Sequence, residues 1–180
     1  MERNTIRNLI FTALFAALMV LGTYIRIPVG PVPVVLTNFF IFLAGLFLGP
    51  WWGLASVGLY LVMGALGLPV FSYGGGIALF AGPTGGFLIG YLPAVFLSGI
   101  STLNKKKSIF VVAVLTAAGA SVIYAAGIPW LKYKLQKTWL QALSIGCFPF
   151  LFFDGIKVAA SVILWHVLLP VWDREKSMSV

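Results

Sequence analysis

Long apolar stretches, separated by short breaks of glycine, proline or lysine, run through almost the whole chain. Each stretch is long enough to cross, or nearly cross, a lipid bilayer as a helix. The pattern predicts six transmembrane helices, at about 9–25, 34–48, 51–66, 84–100, 109–128 and 148–169. Gly49 and Pro50 predict a tight turn between the second and third helices, and Pro170 is expected to follow the end of the last one. We therefore expect an all-α, polytopic membrane protein, a six-helix bundle whose residues 1–180 form a single domain.

Three connecting segments are expected to be more than simple turns. Arg26–Val35 contains three prolines and should cross between helices one and two as an extended loop. Gly67–Gly86 contains seven glycines and two prolines, which break a spanning helix, yet its aromatic residues are too apolar for a free aqueous loop. We interpret it as a loop that caps the mouth of the bundle, with a flexible connector as the alternative. Gly127–Gln141 is too polar to span and is expected to lie at the membrane interface.

The last apolar stretch contains an aspartate and a lysine, Asp154 and Lys157. Residues three apart share a face of a helix, and an acid placed before a base is the favourable order, so the two side chains can pair. Phe150, Ser161 and Trp165 fall on the same side of the helix. Ionisable groups at membrane depth usually mark a path or site for a substrate, an ion or a proton. The pattern predicts the wall of a binding pocket; the alternative is an ion pair that only holds helices together.

Polar and small residues in the first two helices suggest two further sites. Thr37 and Asn38 lie near the start of helix two, where they could contact a ligand, or where Thr37 could cap the helix. In helix one, Ala13 and Ala17 are four residues apart, with Ala16 beside them. A face of small side chains lets another helix approach closely. Such small-residue patterns are common by chance, so this one alone assigns no partner.

The composition excludes several classes of protein. With 61% hydrophobic and 9% charged residues, the chain is not expected to be a soluble domain, because a soluble domain of this size could not hide so much apolar surface from water. The net charge of +8 does not indicate nucleic-acid binding, because the basic residues are scattered among loops and ends. One cysteine, Cys147, and one histidine, His166, offer no metal-binding spacing, and no phosphate-binding loop is present. We expect no enzyme, no metal and no cofactor: the chain binds rather than reacts.

The distribution of basic residues predicts the orientation in the membrane. If the termini are inside, seven arginines and lysines are inside and four are outside. The inside group is Arg3, Arg7, Lys105, Lys106, Lys107, Arg174 and Lys176, and the outside group is Arg26, Lys132, Lys134 and Lys137. The positive-inside rule therefore favours cytoplasmic termini, which places Asp154 in the outer half of the membrane. The outside lysines fit an anionic solute, although lysines at an interface also snorkel.

Four motifs, taken in order, resemble one known family. They are PVPVVLTNFFIFLAGLFLGP, GLPVFSYGGG, AGPTGGFLIGYL and PFLFFDGIK, within residues 12–157. Together they resemble the BioY family, the biotin-specific S components of energy-coupling factor (ECF) transporters. Two places differ from the family pattern: Phe152 and Phe153 stand where relatives usually have proline and glycine, and Thr37 and Asn38 replace the usual polar pair.

The resemblance implies a multi-pass protein of the cell membrane with biotin as its ligand. It implies that Asp154 and Lys157 bind biotin, that the loops after helices one and three close over it, and that the alanine face of helix one docks onto the transmembrane T subunit. Two ATPase subunits would supply energy. The remaining candidate contacts are Thr37, Asn38, Tyr73, Gly74, Gly75, Gly82, Thr84 and Ser161. The alternatives are an intramembrane scaffold and an S component for another small vitamin.

Overall fold

The computed structural model describes residues 3–28, 31–103 and 108–178. The chain forms α1 (Arg3–Tyr24), β1 (Arg26–Ile27), β2 (Val34–Val35), α2 (Thr37–Ala65), α3 (Ala78–Ala81), α4 (Gly85–Ile100), α5 (Ile109–Leu135), α6 (Trp139–Gly146) and α7 (Phe148–Met178). The two short strands pair antiparallel, with Arg26 opposite Val35. Almost all of the described chain outside the connecting loops is therefore helical, as the hydrophobic pattern predicts.

The element α2 is a hairpin of two helices rather than one long helix. Gly49 has a φ of 80° and a ψ of 180°, outside helical geometry, and Pro50 follows it. A methyl group added at Gly53 would lie 3.2 Å from the Cα atom of Gly45. Eight residues of straight helix would hold these positions about 12 Å apart. The chain therefore reverses at Gly49, and we name the two halves α2a (37–48) and α2b (50–65).

This hairpin confirms the six-helix prediction. Four described helices, α1, α2, α5 and α7, are long and apolar enough to cross a membrane, and α4 is a shorter apolar helix. Counting α2a and α2b separately yields six segments for the bundle. In the core, α4 packs between α2 and α5, whereas α1 packs on α2 and α7 packs on α2 and α5.

The bundle has two distinct ends. The loop end carries residues 25–28, 31–36, 66–84 and 136–147. There Tyr24 Oη donates a hydrogen bond to the Pro69 carbonyl at 2.6 Å. The far end carries the Gly49 turn and the last turns of α7. There the Trp172 ring packs edge-on against the rings of Phe11 and Phe47, with centroids 4.8 and 5.2 Å apart.

Two predicted helix ends are wrong because the helices pass through prolines. Helix α5 does not stop at Ile128 but continues to Leu135, so most of the segment predicted to be interfacial is helical. Ile128 and Leu131 are buried, and their packing favours the helical backbone on either side of Pro129. Likewise α7 continues beyond Pro170 to Met178.

The helix α6 was not predicted, although the sequence carries a signal for its start. The Thr138 side chain accepts a hydrogen bond from the Gln141 backbone, and the Gln141 side chain accepts one from the Thr138 backbone. This reciprocal pair is a capping box, which satisfies backbone N–H groups at a helix start.

Two further expectations concern segment boundaries. Helix two begins at Thr37 rather than near Val34, because Val34 and Val35 pair with β1. Leu36 is the N-cap residue, so the alternative that Thr37 caps this helix is wrong. Asn104 and the lysine run Lys105–Lys107, used in the topology prediction, lie outside the described residues.

The close approach of α2a to α4 leads to a first prediction. A methyl group at Gly45 would lie 2.5 Å from the Val95 carbonyl oxygen, whereas one at Gly58 would meet nothing within 4 Å. We expect Gly45→Ala to lower the free energy of unfolding by about 1 to 3 kcal/mol, because the backbone of α2a or α4 must move to make room for the added methyl group. Gly58→Ala, the matched control in α2b, should be neutral or slightly stabilising. Thermal unfolding of the detergent-purified variants measures both; equal stability of the two variants would contradict this packing.

Candidate ligand-binding site

An ion pair on α7 is the chemical centre of the site. Lys157 Nζ donates to Asp154 Oδ1 at 2.6 Å, and the two residues are only 7% and 6% exposed. Phe150, Ser161 and Trp165 are also buried, which confirms that the predicted face of this helix points into the protein. His166 is exposed on the same helix and does not join the pair.

A tyrosine from a second helix completes the pair. Tyr124, on α5, donates its hydroxyl hydrogen bond to Asp154 Oδ2, the carboxylate oxygen that Lys157 leaves free. The charged carboxylate therefore receives donors from two helices, which offsets part of the cost of its burial. Sequence reasoning missed Tyr124. The available signal was the aromatic hydroxyl of Tyr124 within the stretch of small and aliphatic residues at 117–128 of α5.

The pair opens onto a cleft that also contains an unpartnered amide. This charged cleft is lined by Asp154, Lys157 and Tyr124 together with Asn38, Tyr91 and Phe150, among others. The Asn38 Oδ1 atom is buried and has no hydrogen-bond partner among the described residues. A buried polar atom without a partner is costly unless a ligand or water reaches it. Asn38 therefore lies where the sequence analysis expected a ligand contact.

A second cleft adjoins the charged cleft and is rich in hydroxyl groups. It shares Val32, Pro33, Val35, Phe87 and Tyr91 with the charged cleft. Thr23, Thr37 and Tyr60 line this hydroxyl cleft, and the Thr23 Oγ1 atom lies 2.8 Å from Thr37 Oγ1 and 2.9 Å from Tyr60 Oη. Because these three groups satisfy one another, they form a stable polar wall inside an otherwise apolar region.

The segment Gly67–Gly86, which we name the glycine-rich loop, forms the remaining wall of the hydroxyl cleft. Phe71 is buried with its ring 5.4 Å from that of Tyr60 and 5.6 Å from that of Phe80, which anchors the loop on α2b. A tight fold at Gly75 is essential, because a Cβ atom there would lie 2.1 Å from the Leu68 carbonyl oxygen. Ser72 and Tyr73 of this loop line the cleft.

The candidate residues therefore fall into three groups. Asn38, Asp154 and Lys157 line the charged cleft, and Thr37, Tyr73 and Thr84 line the hydroxyl cleft. Gly74 lies beside Tyr73 in the loop, at a φ of 109°. Gly74, Gly75, Gly82 and Ser161 line neither cleft. The Gly82 carbonyl accepts a hydrogen bond from Trp130 Nε1 at 2.8 Å, and Ser161 Oγ donates to the Val158 carbonyl of its own helix.

The alanine face of α1 is smaller than expected. Ala13 and Ala17 are exposed, whereas Ala16 is only 1% exposed and belongs to the core. The prediction that Ala16 is available for docking is wrong, because this side of α1 packs against the rest of the bundle. Within the described residues no group of three or more histidine, cysteine, aspartate or glutamate side chains could hold a metal ion.

Comparison with known proteins identifies the family. The BioY family model matches residues 1–174. This chain belongs to the BioY family. The chain is 39% identical over 159 residues to the biotin transporter BioY of Thermotoga maritima, covering 88% of this chain and 93% of that protein. It is 40% identical over 153 residues to the probable biotin transporter BioY of Pyrococcus horikoshii, covering 84% and 90%.

A solved structure supports the same membership at the level of the fold. The crystal structure of the S component for biotin from an ECF-type ABC transporter matches with a TM-score of 0.87 and 31% identity, over 94% of each chain. The resemblance predicted from the four motifs is thus confirmed, as are the all-helical membrane fold and the expectation that this BioY family member is a transport protein rather than an enzyme.

The ion pair leads to a second prediction, on stability without ligand. Lys157→Met should lower the free energy of unfolding by roughly 3 to 5 kcal/mol, because it leaves the buried Asp154 carboxylate without a counter-ion. The double variant Asp154→Asn with Lys157→Met should lose less free energy of unfolding than Lys157→Met alone, because no charge is then left unpaired. Denaturant unfolding in detergent compares them, with the exposed Lys134→Met as the control. If Lys157→Met is as stable as the original protein, leaving the Asp154 carboxylate without its counter-ion has no energetic cost, which contradicts the prediction.

Proposed function

We propose that this chain is the biotin-binding S component of an ECF-type transporter and that Asp154 and Lys157 bind the ligand. The observation that carries the proposal is the buried pair of Asp154 and Lys157, which opens on the cleft that contains the unpartnered Asn38 amide. The names of the relatives and of the similar crystal structure support biotin as the ligand.

The chemistry of the charged cleft matches the ureido ring of biotin. That ring is uncharged and offers N–H donors and a carbonyl acceptor. Lys157 retains ammonium N–H donors for the carbonyl beside the one that it gives to Asp154, and the Asp154 carboxylate supplies acceptors for the N–H groups. The Asn38 amide can donate or accept, so a ligand polar atom would satisfy it. A neutral ring suits a site whose own charges already cancel, because no net charge is added to a low-dielectric region.

The walls of the two clefts suit the apolar body of the ligand. Phe87 and Tyr91 line both clefts, and Phe150 lines the charged cleft. Aromatic side chains bury a large apolar area, and the few polar groups between them fix orientation. The sulfur-containing ring and the aliphatic chain of biotin would lie against these aromatic residues.

We further propose the orientation and the partners. The termini would be cytoplasmic in the cell membrane, so the loop end would face outward and residues 26–35 and 67–84 would close over biotin. The exposed Ala13 and Ala17 of α1 would dock onto the transmembrane T subunit, with two ATPase subunits supplying energy. The ECF type of the similar structure supports this assembly.

A third prediction concerns ligand binding. We expect saturable biotin binding by the purified chain, with affinity reduced at least a hundredfold in Asp154→Asn and in Lys157→Ala, because each change removes a hydrogen bond and leaves its partner buried and unpaired. Isothermal titration calorimetry measures this, with the exposed Lys137→Ala as the matched control. Folded variants that bind biotin as tightly as the original chain would reject the assignment. Unfolding of both variants, together with no effect of biotin on the melting of the original chain, would favour the scaffold alternative.

A fourth prediction concerns docking. Replacing Ala13 or Ala17 by Trp should abolish copurification with the T and ATPase subunits while leaving biotin binding intact, because the indole prevents close helix approach. Ala159→Trp, on an exposed face of α7, is the matched control and should copurify normally. Normal copurification of both α1 variants would remove the alanine face from the interface.

A further inference from the structure

A third cleft continues the hydroxyl cleft on the side away from Asp154. It shares Thr23, Phe71, Ser72 and Tyr73 with the hydroxyl cleft and adds Tyr24, Arg26, Pro69 and Gly74. We name it the Arg26 cleft. It shares no lining residue with the charged cleft. The three clefts therefore follow one another, with the hydroxyl cleft in the middle.

The charges along this path are unevenly distributed. At one end Asp154 and Lys157 neutralise each other. The hydroxyl cleft is lined by no aspartate, glutamate, lysine, arginine or histidine. At the other end Arg26 brings one positive charge, since the rest of that lining is uncharged. A molecule that matches this path has a neutral polar head, an apolar middle and an anionic tail.

Among the residues that the structure describes, no carboxylate is a counter-ion for Arg26. The acidic residues of the whole sequence are Glu2, Asp154, Asp173 and Glu175. Asp154 is already paired with Lys157 and Tyr124, and Asp173 lies in the part of α7 at the far end of the bundle. No carboxylate among the described residues pairs with Arg26. An anionic ligand group at this position would therefore not compete with a protein carboxylate.

The local structure holds the backbone of Arg26 at the cleft. Arg26 lies in β1, paired with Val35 of β2, and Val35 itself lines the two other clefts. The hydrogen bond from Tyr24 Oη to the Pro69 carbonyl joins α1 to the glycine-rich loop on the same cleft. A guanidinium group presents donors in a planar fork that fits a carboxylate, and it remains charged at any physiological pH.

We infer that Arg26 binds the carboxylate of the ligand and thereby selects ligands with a free acid tail. The inference rests on the proposed function, since it takes biotin as the ligand with its ureido ring at Asp154 and Lys157. The valerate chain then crosses the hydroxyl cleft, and its carboxylate reaches Arg26. This places recognition of the head and of the tail in separate clefts, so the two can be tested separately.

The test compares biotin with biotin methyl ester, which has the same rings and an uncharged tail. Arg26→Gln should weaken biotin binding about tenfold, the loss expected for one charge-assisted hydrogen bond, and should leave ester binding unchanged. The original chain should prefer biotin over the ester by a similar factor, and Arg26→Gln should bind the two alike. Arg26→Lys, which keeps the charge, should retain part of the preference. Lys137→Gln, an exposed cation at the loop end that lines none of the three clefts, should behave as the original chain.

The outcomes separate this inference from the proposed function. Arg26→Gln that retains full biotin affinity, or that weakens biotin and the ester equally, overturns the role of Arg26 while biotin binding stands. An original chain that binds neither ligand overturns the proposed function and the Arg26 assignment together. Melting temperatures without ligand identify a variant that has lost its fold. If Arg26→Gln unfolds, Arg26→Lys decides: a reduced but remaining preference for biotin over the ester, with unchanged ester affinity, supports the role of Arg26, and an undiminished preference overturns it.

Discussion

A carboxylate inside an apolar helical bundle is stable only where donors and a positive charge reach it, and Asp154 is the group on which this constraint acts. Lys157 from the same helix and Tyr124 from α5 each donate to one of its oxygens. Because the donors come from two helices, the network also determines how α5 and α7 meet. A shift of either helix would break hydrogen bonds in a region where water cannot replace them easily.

Backbone packing differs between the two ends of the helical hairpin α2a–α2b. Near the Gly49 turn, Gly45, Gly53 and Gly99 allow α2a, α2b and α4 to approach so closely that added methyl groups would contact backbone or side-chain atoms at 2.5 to 2.9 Å. At the opposite ends of α2a and α2b, Thr37 and Tyr60 line a cleft instead. Tight packing at the far end and open space at the loop end are therefore two consequences of one helical hairpin.

The polar groups around the clefts differ in how well the protein satisfies them. Thr23, Thr37 and Tyr60 form hydrogen bonds with one another, so they can stabilise the bundle without a ligand. The Asn38 Oδ1 atom is buried and has no such partner among the described residues, and the exposed Arg26 guanidinium pairs with no described carboxylate. Groups that the fold leaves unsatisfied are those that gain most from a ligand. This difference, rather than polarity alone, separates structural groups from candidate contacts.

The sequence by itself determined the six apolar segments, the reversal at Gly49 and the common face of Asp154 and Lys157. Each depends on local geometry: apolar length, glycine and proline at a turn, and the three-residue spacing on a helix. The predicted helix end at Pro129 is wrong because the packing of Ile128 and Leu131 outweighs the local preference of proline, and the last helix likewise continues through Pro170. Only the tertiary structure decided that Tyr124 donates a hydrogen bond to Asp154 and that Ala16 is buried in the core. The same holds for Arg26, which lines a cleft next to the hydroxyl cleft. Periodicity states which residues share one helix face, but which distant segment meets that face depends on how all the helices pack together.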